Sequence, residues 1–415
     1  MSDTKPAPRV VRALGVEGDG IVDGAAGVVF VPFALPGEQV VGSADGWQRS
    51  GADSPDRVAP KCQHFQQCGG CVAQHMGETL YAGWKHETVR HALSTQGINA
   101  PVAPLRLIPS ASRRRATLTA ERHGRTIVLG YHARRSHALV EIAECPVLVP
   151  AIVAALPALR VIAGLSLHGH EPVRLDVVAL DGGLDVNIDA PDLKLATPLR
   201  LKFAEAATTH KLARIALNGE TIIERAIITL ATAGGVITPP PGTFFQAAAE
   251  AQAIMTELVL GAVGKSKRIA DLYCGVGTFT LPLATRAKVL AVDGDKVALD
   301  ALIAATKKAT GIKPVETLRR DLMSEPLSVK ELEGIDMVVF DPPRAGAKAQ
   351  AEMIAKSKVQ TVAAVSCNPV TLARDLQILT GGGFTIVSVT PVDQFVFSAH
   401  VEVVAILTRA SPKRR

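Results

Sequence analysis

With 415 residues the chain has room for about two or three domains, and its 47% hydrophobic content is that of a globular protein. No apolar run approaches the roughly 18 residues of a membrane span, and the first six residues hold no apolar signal core, so a cytoplasmic protein without membrane contact is expected. The 45 Lys and Arg against 39 Asp and Glu give a net charge of +6, compatible with a polyanionic partner. In chain order, residues 1–8 read as a loose tail. Over residues 10–41 short apolar runs alternate with turns at Gly15, Gly18, Gly20, Gly24 and Pro36-Gly37. Strands so short and closely spaced predict a small β-barrel. Such barrels commonly bind oligonucleotides, although one used only for packing fits the pattern equally. Residues 42–60, rich in Gly, Ser, Asp and Pro, read as a linker.

Six cysteines occur: Cys62, Cys68, Cys71, Cys145, Cys274 and Cys367. Without a signal peptide they point to a metal, a cluster or catalysis before disulfides. Cys62, Cys68 and Cys71 are spaced C-x5-C-x2-C on a glycine-containing loop, and Cys145 is the natural fourth thiol. Four thiolates suit a structural zinc or a 4Fe–4S cluster, and spacing does not choose between them. Leu80, Trp84, Thr88 and His91 recur at helical steps within residues 77–95. Residues 101–150 alternate as strands and carry Arg113, Arg114, Arg115, Arg122, Arg125, Arg134 and Arg135, which read as phosphate contacts or a solvated face. Residues 151–240 read as mixed α/β.

After Pro239-Pro240-Pro241, strands and helices alternate, which predicts a parallel, doubly wound sheet. A helix is expected after Phe244-Phe245-Gln246 and another from Phe279. Strands are expected over residues 268–273, 288–292, 336–340, 361–365, 385–389 and 401–407, with one more ending before Asp321. The Gly275-Val276-Gly277 turn and Asp293 at the next strand end form a nucleoside-binding plan. The glycines admit the ligand to the backbone and the acid holds ribose hydroxyls. A third glycine is missing, which disfavours a dinucleotide and leaves S-adenosylmethionine, which has no pyrophosphate. Asp321 and Asp341 fall at strand ends on the same rim. Cys367 closes the fifth strand, with Asn368 and Pro369 where a helix cap and first-turn residue belong. A helix N-terminus favours a thiolate, and an α/β fold places a nucleophile there. A small buried hydrophobe is the other reading of that cysteine.

Taken together, the turn from Asp271 through Cys274, Gly275 and Gly277, the Asp341-Pro342-Pro343-Arg344 and Ser366-Cys367-Asn368-Pro369 stretches, and His400-Val401-Glu402 resemble the RNA uracil-5-methyltransferase family over most of the chain. The resemblance implies a TRAM-like (OB-like) RNA-binding β-barrel over residues 1–52. It implies a central α/β domain over 53–240 with a 4Fe–4S cluster on Cys62, Cys68, Cys71 and Cys145. It also implies a Rossmann-like methyltransferase domain over 241–415 with a seven-stranded doubly wound sheet. S-adenosylmethionine contacts then fall on Gln246, Tyr273, Thr278, Asp293, Asp321 and Asp341, the nucleophile on Cys367 and the general base on Glu402. The chain departs from the family at Ala248 and Thr278, where relatives often carry asparagine, and at Val396, often proline.

The expected chemistry is addition of a thiolate to C6 of uracil, which makes C5 nucleophilic toward a methylsulfonium. A carboxylate then removes the C5 proton. Glu402 lies on an apolar strand, where burial raises a carboxyl pKa toward a useful range. The target base must be flipped or single-stranded, with Arg113 to Arg115, Arg134, Arg135 and the Lys413-Arg414-Arg415 tail as expected phosphate contacts. The TRAM-like and four-cysteine segments resemble the 23S rRNA enzymes, so rRNA is the favoured partner and transfer RNA the second. A monomer is expected. An RNA cytosine-C5 methyltransferase would want a Pro-Cys pair on the fourth strand, where Asp341-Pro342-Pro343 stands. An RNA-binding protein whose cluster senses oxidants leaves Cys367 and Glu402 without a purpose.

Overall fold

A computed structural model describes residues 7–24, 27–43, 46–168 and 171–409. The Lys413-Arg414-Arg415 tail, read above as a phosphate contact, lies outside the described residues. Among those residues no helix is long and apolar enough to cross a membrane.

The N-terminal region forms two small antiparallel sheets. One pairs Arg9–Val10, Gln39–Ser43 and Gly46–Ser50; the other pairs Ala13–Leu14, Gly20–Gly24 and Gly27–Val31. Val11, Val22, Val31 and Val40 point into one buried core. Gly20 is required there, because a Cβ would stand 2.7 Å from the Ala34 carbonyl oxygen. The strand Gly46–Ser50 corrects the linker reading of residues 42–60. Its burial pattern is mostly exposed, so composition hid it, while Trp47 packs against the core.

The central sheet has seven strands. Their spatial order is Glu220–Glu224, Arg214–Leu217, Gly183–Asp189, Val173–Leu180, Arg115–His123, Thr126–His132 and Leu139–Glu141. Helices Leu156–Ser166 and Thr197–Thr209 bring Leu159, Ile162 and Phe203 into a core with Leu118, Leu175 and Val177. Strand Arg115–His123 begins with the period-two burial expected of a sheet with one covered face.

The C-terminal sheet also has seven strands, in the order Val315–Arg319, Lys288–Asp293, Arg268–Leu272, Met337–Phe340, Thr361–Ser366, Glu402–Thr408 and Thr385–Val392. The first five are parallel and Glu402–Thr408 runs antiparallel to both its neighbours, so the sheet is mixed. Met337–Phe340 is buried at every residue, as a strand covered on both faces must be. The helix expected from Phe279 is only Thr280–Ala284. Strand order reverses between Arg268–Leu272 and Met337–Phe340, and a crevice opens at the carboxyl ends of strands at such a point.

Helix Glu78–Thr95 does not pack where its place in the chain suggests. Val89, Ala92 and Leu93 share a core with Leu376 and Leu379 of helix Pro369–Gly381 and with Phe384, beside the C-terminal sheet. The chain that follows it bridges in parallel from Val102 to Val389 and from Arg106 to Val392. Those pairings cover the edge strand Thr385–Val392, whose open backbone groups would otherwise invite other strands.

The same helix clamps the loop over residues 393–401. Lys85 Nζ donates to Asp393, to the Phe395 carbonyl at 2.9 Å and to the His400 carbonyl at 2.8 Å. Tyr81 Oη lies 2.8 Å from Asp393 Oδ2 and accepts from the Phe397 N–H at 2.8 Å. Burial pushes the Lys85 pKa down and the Asp393 pKa up, so desolvation opposes the pair from both sides. Lys85→Ala strands a buried carboxylate and is expected to cost about 3–5 kcal/mol in urea unfolding. The apolar exchange Lys85→Met with Asp393→Leu is expected to recover most of that stability; an undiminished loss would contradict a pair whose burial costs about what its attraction returns.

Candidate active site

Six of the eight residues expected at the methyl-donor and catalytic site line one cavity of about 610 Å³: Gln246, Tyr273, Asp293, Asp341, Cys367 and Glu402. Thr278 and Asp321 lie outside that lining. Thr278 is buried in the glycine turn. Asp321 is exposed, and its carboxylate accepts from the Met323 N–H at 3.0 Å and the Ser324 hydroxyl at 2.9 Å. The cavity also takes in Phe244, Arg344, Phe395 and His400, of which only Phe395 lay outside the motifs the sequence offered.

The turn after strand Arg268–Leu272 has Tyr273, Gly275 and Gly277 in the left-handed region, at φ 59°, 54° and 98°. A Cβ at Gly277 would stand 2.5 Å from Leu302, so only glycine fits there, whereas space beside Gly275 is open. Asp293 fixes this turn: Oδ2 accepts from the Gly275 N–H and Oδ1 from the Asp295 N–H, both at 2.8 Å. A carboxylate has about four lone-pair sites, so capacity remains for two hydroxyl donors. A side-chain-free turn beside such an acid fits a nucleoside, and an acid-lined cavity fits a cationic sulfonium better than a pyrophosphate.

Cys367 follows strand Thr361–Ser366, and the cap forms as the sequence requires. Asn368 Oδ1 accepts from the Val370 N–H at 3.1 Å, Nδ2 donates to the Arg344 carbonyl at 3.0 Å, and Pro369 opens helix Pro369–Gly381. The thiolate expected from that helix end is not the outcome. Burial, then Glu402 and Asp341, push the Cys367 thiol up to about 11, against a smaller lowering by Arg344. One helix end does not offset partial burial beside two carboxyls.

Glu402 is 3% exposed, and burial followed by Asp341 raises its pKa well above the ordinary carboxylate range. Its Oε2 has no hydrogen-bond partner among the described residues, which leaves no cross-strand ion pair to explain it. Asp341 is raised to about 7 by burial, against a lowering hydrogen bond from Gln246. Gln246 Nε2 donates to Asp341 Oδ2 at 2.8 Å, and Gln394 Nε2 donates to Gln246 Oε1 at 2.7 Å. The site therefore combines a protonated thiol, two carboxyls that oppose each other's ionisation, and an ordered amide chain.

The arginines divide. Arg114 is buried and donates to the Gln246 carbonyl at 3.2 Å and to Gln252 at 2.6 Å. Arg134 forks onto Asp19 at 2.6 and 3.0 Å and joins the N-terminal region to the central sheet. Arg122 donates to the Gly164 and Leu167 carbonyls. Arg114 and Arg134 are structural, which corrects their reading as phosphate contacts, whereas Arg122 is exposed, in keeping with a solvated face. Arg113 lies over Phe395 at 5.8 Å and Arg115 over Phe244 at 4.7 Å, so each stacks on an aromatic of the cavity. Phe244 is 62% exposed.

Cys62, Cys68, Cys71 and Cys145 line a second cavity of about 430 Å³, which shares Phe395 and His400 with the first. Gln63 N–H donates to Glu144 at 2.8 Å and Ala143 N–H to His64 Nε2 at 3.1 Å, which brings Cys145 to the cysteine loop. Among the described residues no group of three or more His, Cys, Asp or Glu is disposed to hold a metal ion. Four thiols around one cavity are the donor set that a structural zinc or an iron–sulfur cluster requires.

A family model described as tRNA (uracil-5-)-methyltransferase matches residues 210–410. An uncharacterised RNA methyltransferase of Rhizobium meliloti is 45% identical over 410 residues, covering 96% of this chain and 98% of its own. The 23S rRNA (uracil(1939)-C(5))-methyltransferase of Halomonas elongata is 32% identical and covers 98% of this chain and 90% of its own. The solved Pyrococcus abyssi tRNA (uracil-54, C5)-methyltransferase, in complex with S-adenosyl-L-homocysteine, aligns with a TM-score of 0.72 over 96% of this chain and 99% of its own. At 23% identity that likeness is one of fold.

The high Cys367 pKa has a measurable consequence, because only the thiolate is alkylated. At pH 8 Cys367 is expected to carry on the order of 100-fold less thiolate than an ordinary thiol of pKa about 8.5. Iodoacetamide labelling of its peptide, followed by mass spectrometry, should be correspondingly slow and should climb as pH rises toward 10. Labelling at the rate of free cysteine at pH 8 would contradict the electrostatic account.

Proposed function

The chain belongs to the tRNA (uracil-5-)-methyltransferase family and is an S-adenosylmethionine-dependent RNA uracil methyltransferase, and from that premise we propose that it methylates C5 of a specific uridine in 23S rRNA through a covalent bond between Cys367 and C6 of the ring. The observation that carries this reading is that Cys367, Glu402 and Asp341 share one cavity with the glycine turn and Asp293. The rRNA preference is supported by the Halomonas relative, which is named for 23S rRNA and aligns over nearly the whole chain, its N-terminal and four-cysteine segments included.

S-adenosylmethionine, when bound, supplies an electrophilic methyl group on a sulfonium. Tyr273, Asp293 and Asp341 would hold it, with Thr278 in the turn and Asp321 beside Leu322, whose carbonyl accepts from Tyr273 Oη at 3.5 Å. Asp293 takes the ribose hydroxyls with the lone pairs that Gly275 and Asp295 leave free. Cys367 adds to C6 as its thiolate, the thiol proton leaving to solvent, and C5, made nucleophilic by that addition, takes the methyl group; this splits one hard step into easier ones. Glu402 in its ionised form then takes the C5 proton, burial having made it a strong base, and the C6–S bond breaks to release Cys367, which regains a proton. Asp341 raises the Glu402 pKa further, so Glu402 is poised for this step when the pair's proton sits on Asp341.

Residues 1–52 would bind RNA as a TRAM-like barrel, residues 53–240 would carry the cluster, and residues 241–415 would carry the chemistry. Cys62, Cys68, Cys71 and Cys145 would hold a 4Fe–4S cluster whose role is to tie the cysteine loop to Cys145 and to the wall formed by Phe395 and His400. Arg113 and Arg115, each stacked on a cavity aromatic, would meet phosphates at the mouth.

Transcripts of 23S rRNA and of transfer RNA made with 5-fluorouridine test the substrate and the nucleophile together. With S-adenosylmethionine, only the rRNA transcript is expected to form a denaturation-resistant adduct. Cys367→Ser should abolish it, and Glu402→Gln should accumulate a methylated adduct on ordinary uridine RNA. An adduct on transfer RNA alone would reassign the substrate, and one that survives Cys367→Ser would remove the nucleophile. Anaerobic purification is expected to yield about four irons per chain, with brown colour lost in Cys145→Ser; stoichiometric zinc in their place would correct the cluster assignment.

A further inference from the structure

The amide chain behind the cavity reaches a residue that no part of the proposed reaction uses. Gln394 and Gln246 are 2% and 3% exposed. Gln394 Nε2 donates to Gln246 Oε1 at 2.7 Å, and Gln246 Nε2 donates to Asp341 Oδ2 at 2.8 Å. The bond from Gln246 favours the ionised form of Asp341, which accepts and does not donate, so that form holds the NH2 side of Gln246 toward itself. Gln246 Oε1 is then left to face Gln394, and Gln394 must present its own NH2 group. Its Oε1 is left buried without a partner among the described residues. A buried amide with one unsatisfied atom is held against its own preference. The backbone is fixed as well, since Arg114 donates to the Gln246 carbonyl at 3.2 Å and Asp393, next to Gln394, is held by Lys85 and Tyr81.

What this fixes is the flip of the Gln246 amide. Each amide NH2 has two donors and each carbonyl two lone pairs. After the bonds to Asp341 and Gln394, Gln246 retains one N–H and one lone pair, and it lines the catalytic cavity. The reaction fixes the pose of the ring, with C6 at Cys367 and C5 toward the methyl donor. In that pose uracil offers an N3–H donor beside an O4 acceptor. Cytosine offers the reverse, an N3 acceptor beside an N4–H donor. An amide free to flip would accept either ring; a locked one accepts one of them.

We infer that Gln394 is a specificity-positioning residue: by holding the Gln246 amide in one flip between itself and Asp341, it makes the cavity take a pyrimidine with a carbonyl at C4 and refuse one with an amine. This moves Gln246 from the methyl donor, where the family resemblance put it, to the substrate ring. It rests on the reading of Cys367 as the nucleophile.

The test uses the full-length protein and two transcripts of the RNA that forms the fluorouridine adduct, identical but for U or C at the target. Methyl transfer from labelled S-adenosylmethionine gives kcat/KM for each. The wild-type ratio is expected to be at least about 1,000, as for a site that leaves its polar groups unpaired with the wrong ring. Gln394→Met removes the donor at nearly constant volume and should lower the ratio at least about tenfold, with the dissociation constant for S-adenosylmethionine unchanged. Gln394→Asn withdraws the same amide by one methylene and should do likewise, which keeps the test open if the Met variant does not fold. A ratio unchanged in the variants, whatever their loss of rate, would overturn the assignment and leave Gln394 a packing residue. Absence of any adduct in the wild-type protein would instead remove the nucleophile reading, which separates the two failures.

Discussion

Lys85 is the residue on which the geometry of the catalytic loop depends. An ammonium has three donors, and Lys85 spends them on Asp393 and on the carbonyls of Phe395 and His400. Those acceptors mark the two ends and the interior of the loop that leads into Glu402. Burial disfavours the charged form of both Lys85 and Asp393, so the pair adds little net stability. Its contribution is position. Phe397 sits at φ 61°, a strained value for an aromatic residue, and is held there by Tyr81 Oη on its N–H and by the Val72 and Ala73 N–H groups on its carbonyl. The helix that carries Lys85 also ties in the N-terminal region, because Trp84 Nε1 donates to the Gly15 carbonyl at 2.8 Å.

The second constraint is electrostatic. Asp341 and Glu402 are buried close enough that each resists the other's ionisation, and both raise the Cys367 thiol. A thiol kept protonated is protected from adventitious alkylation and oxidation, both of which need the thiolate. The same carboxyls that suppress the thiolate draw a cation into the cavity. The arrival of a sulfonium would therefore lower the energy of the ionised site as a whole, and this couples occupancy by the methyl donor to readiness of the thiol.

What could be read from the sequence was chemistry encoded locally. Asn368 and Pro369 cap their helix because a side-chain oxygen and a missing N–H act within three residues. The apolar runs at residues 268–272, 337–340 and 361–366 become buried parallel strands because nothing else buries such runs. The acids at strand ends gather at the rim because the sheet is mostly parallel. What could not be read depended on distant partners. Nothing near Glu78–Thr95 says that it joins the C-terminal core, and nothing near Gly46–Ser50 says that Gln39–Ser43 will pair with it. Arg114 and Arg134 look like Arg113 and Arg115 in composition, and only Gln246, Gln252 and Asp19 make them structural. The thiol pKa escaped for the same reason: a helix end is visible in sequence, whereas the density of carboxyls around a sulfur is not.

The shared wall between the two cavities explains why a cysteine loop belongs in this enzyme at all. Phe395 and His400 face the catalytic cavity on one side and the four thiols on the other. Their backbone carbonyls are the ones that Lys85 holds, so the loop is fixed from beneath by the clamp. From above it meets residues 69–73, where Val72 and Ala73 N–H bind Phe397. That upper contact comes from Val72 and Ala73, which pack in a small core with Leu35, Tyr81 and Trp84, while Gly69 and Gly70 before them add no side chains. A cross-link would add to that packing where the strained Phe397 leans on it. Four thiolates on one inorganic core would supply it, since each metal–sulfur bond fixes one point of the loop or of the Cys145 segment. On this view the cysteines and the clamp are two halves of one device, which presses Phe395 and His400 into the wall beside Cys367.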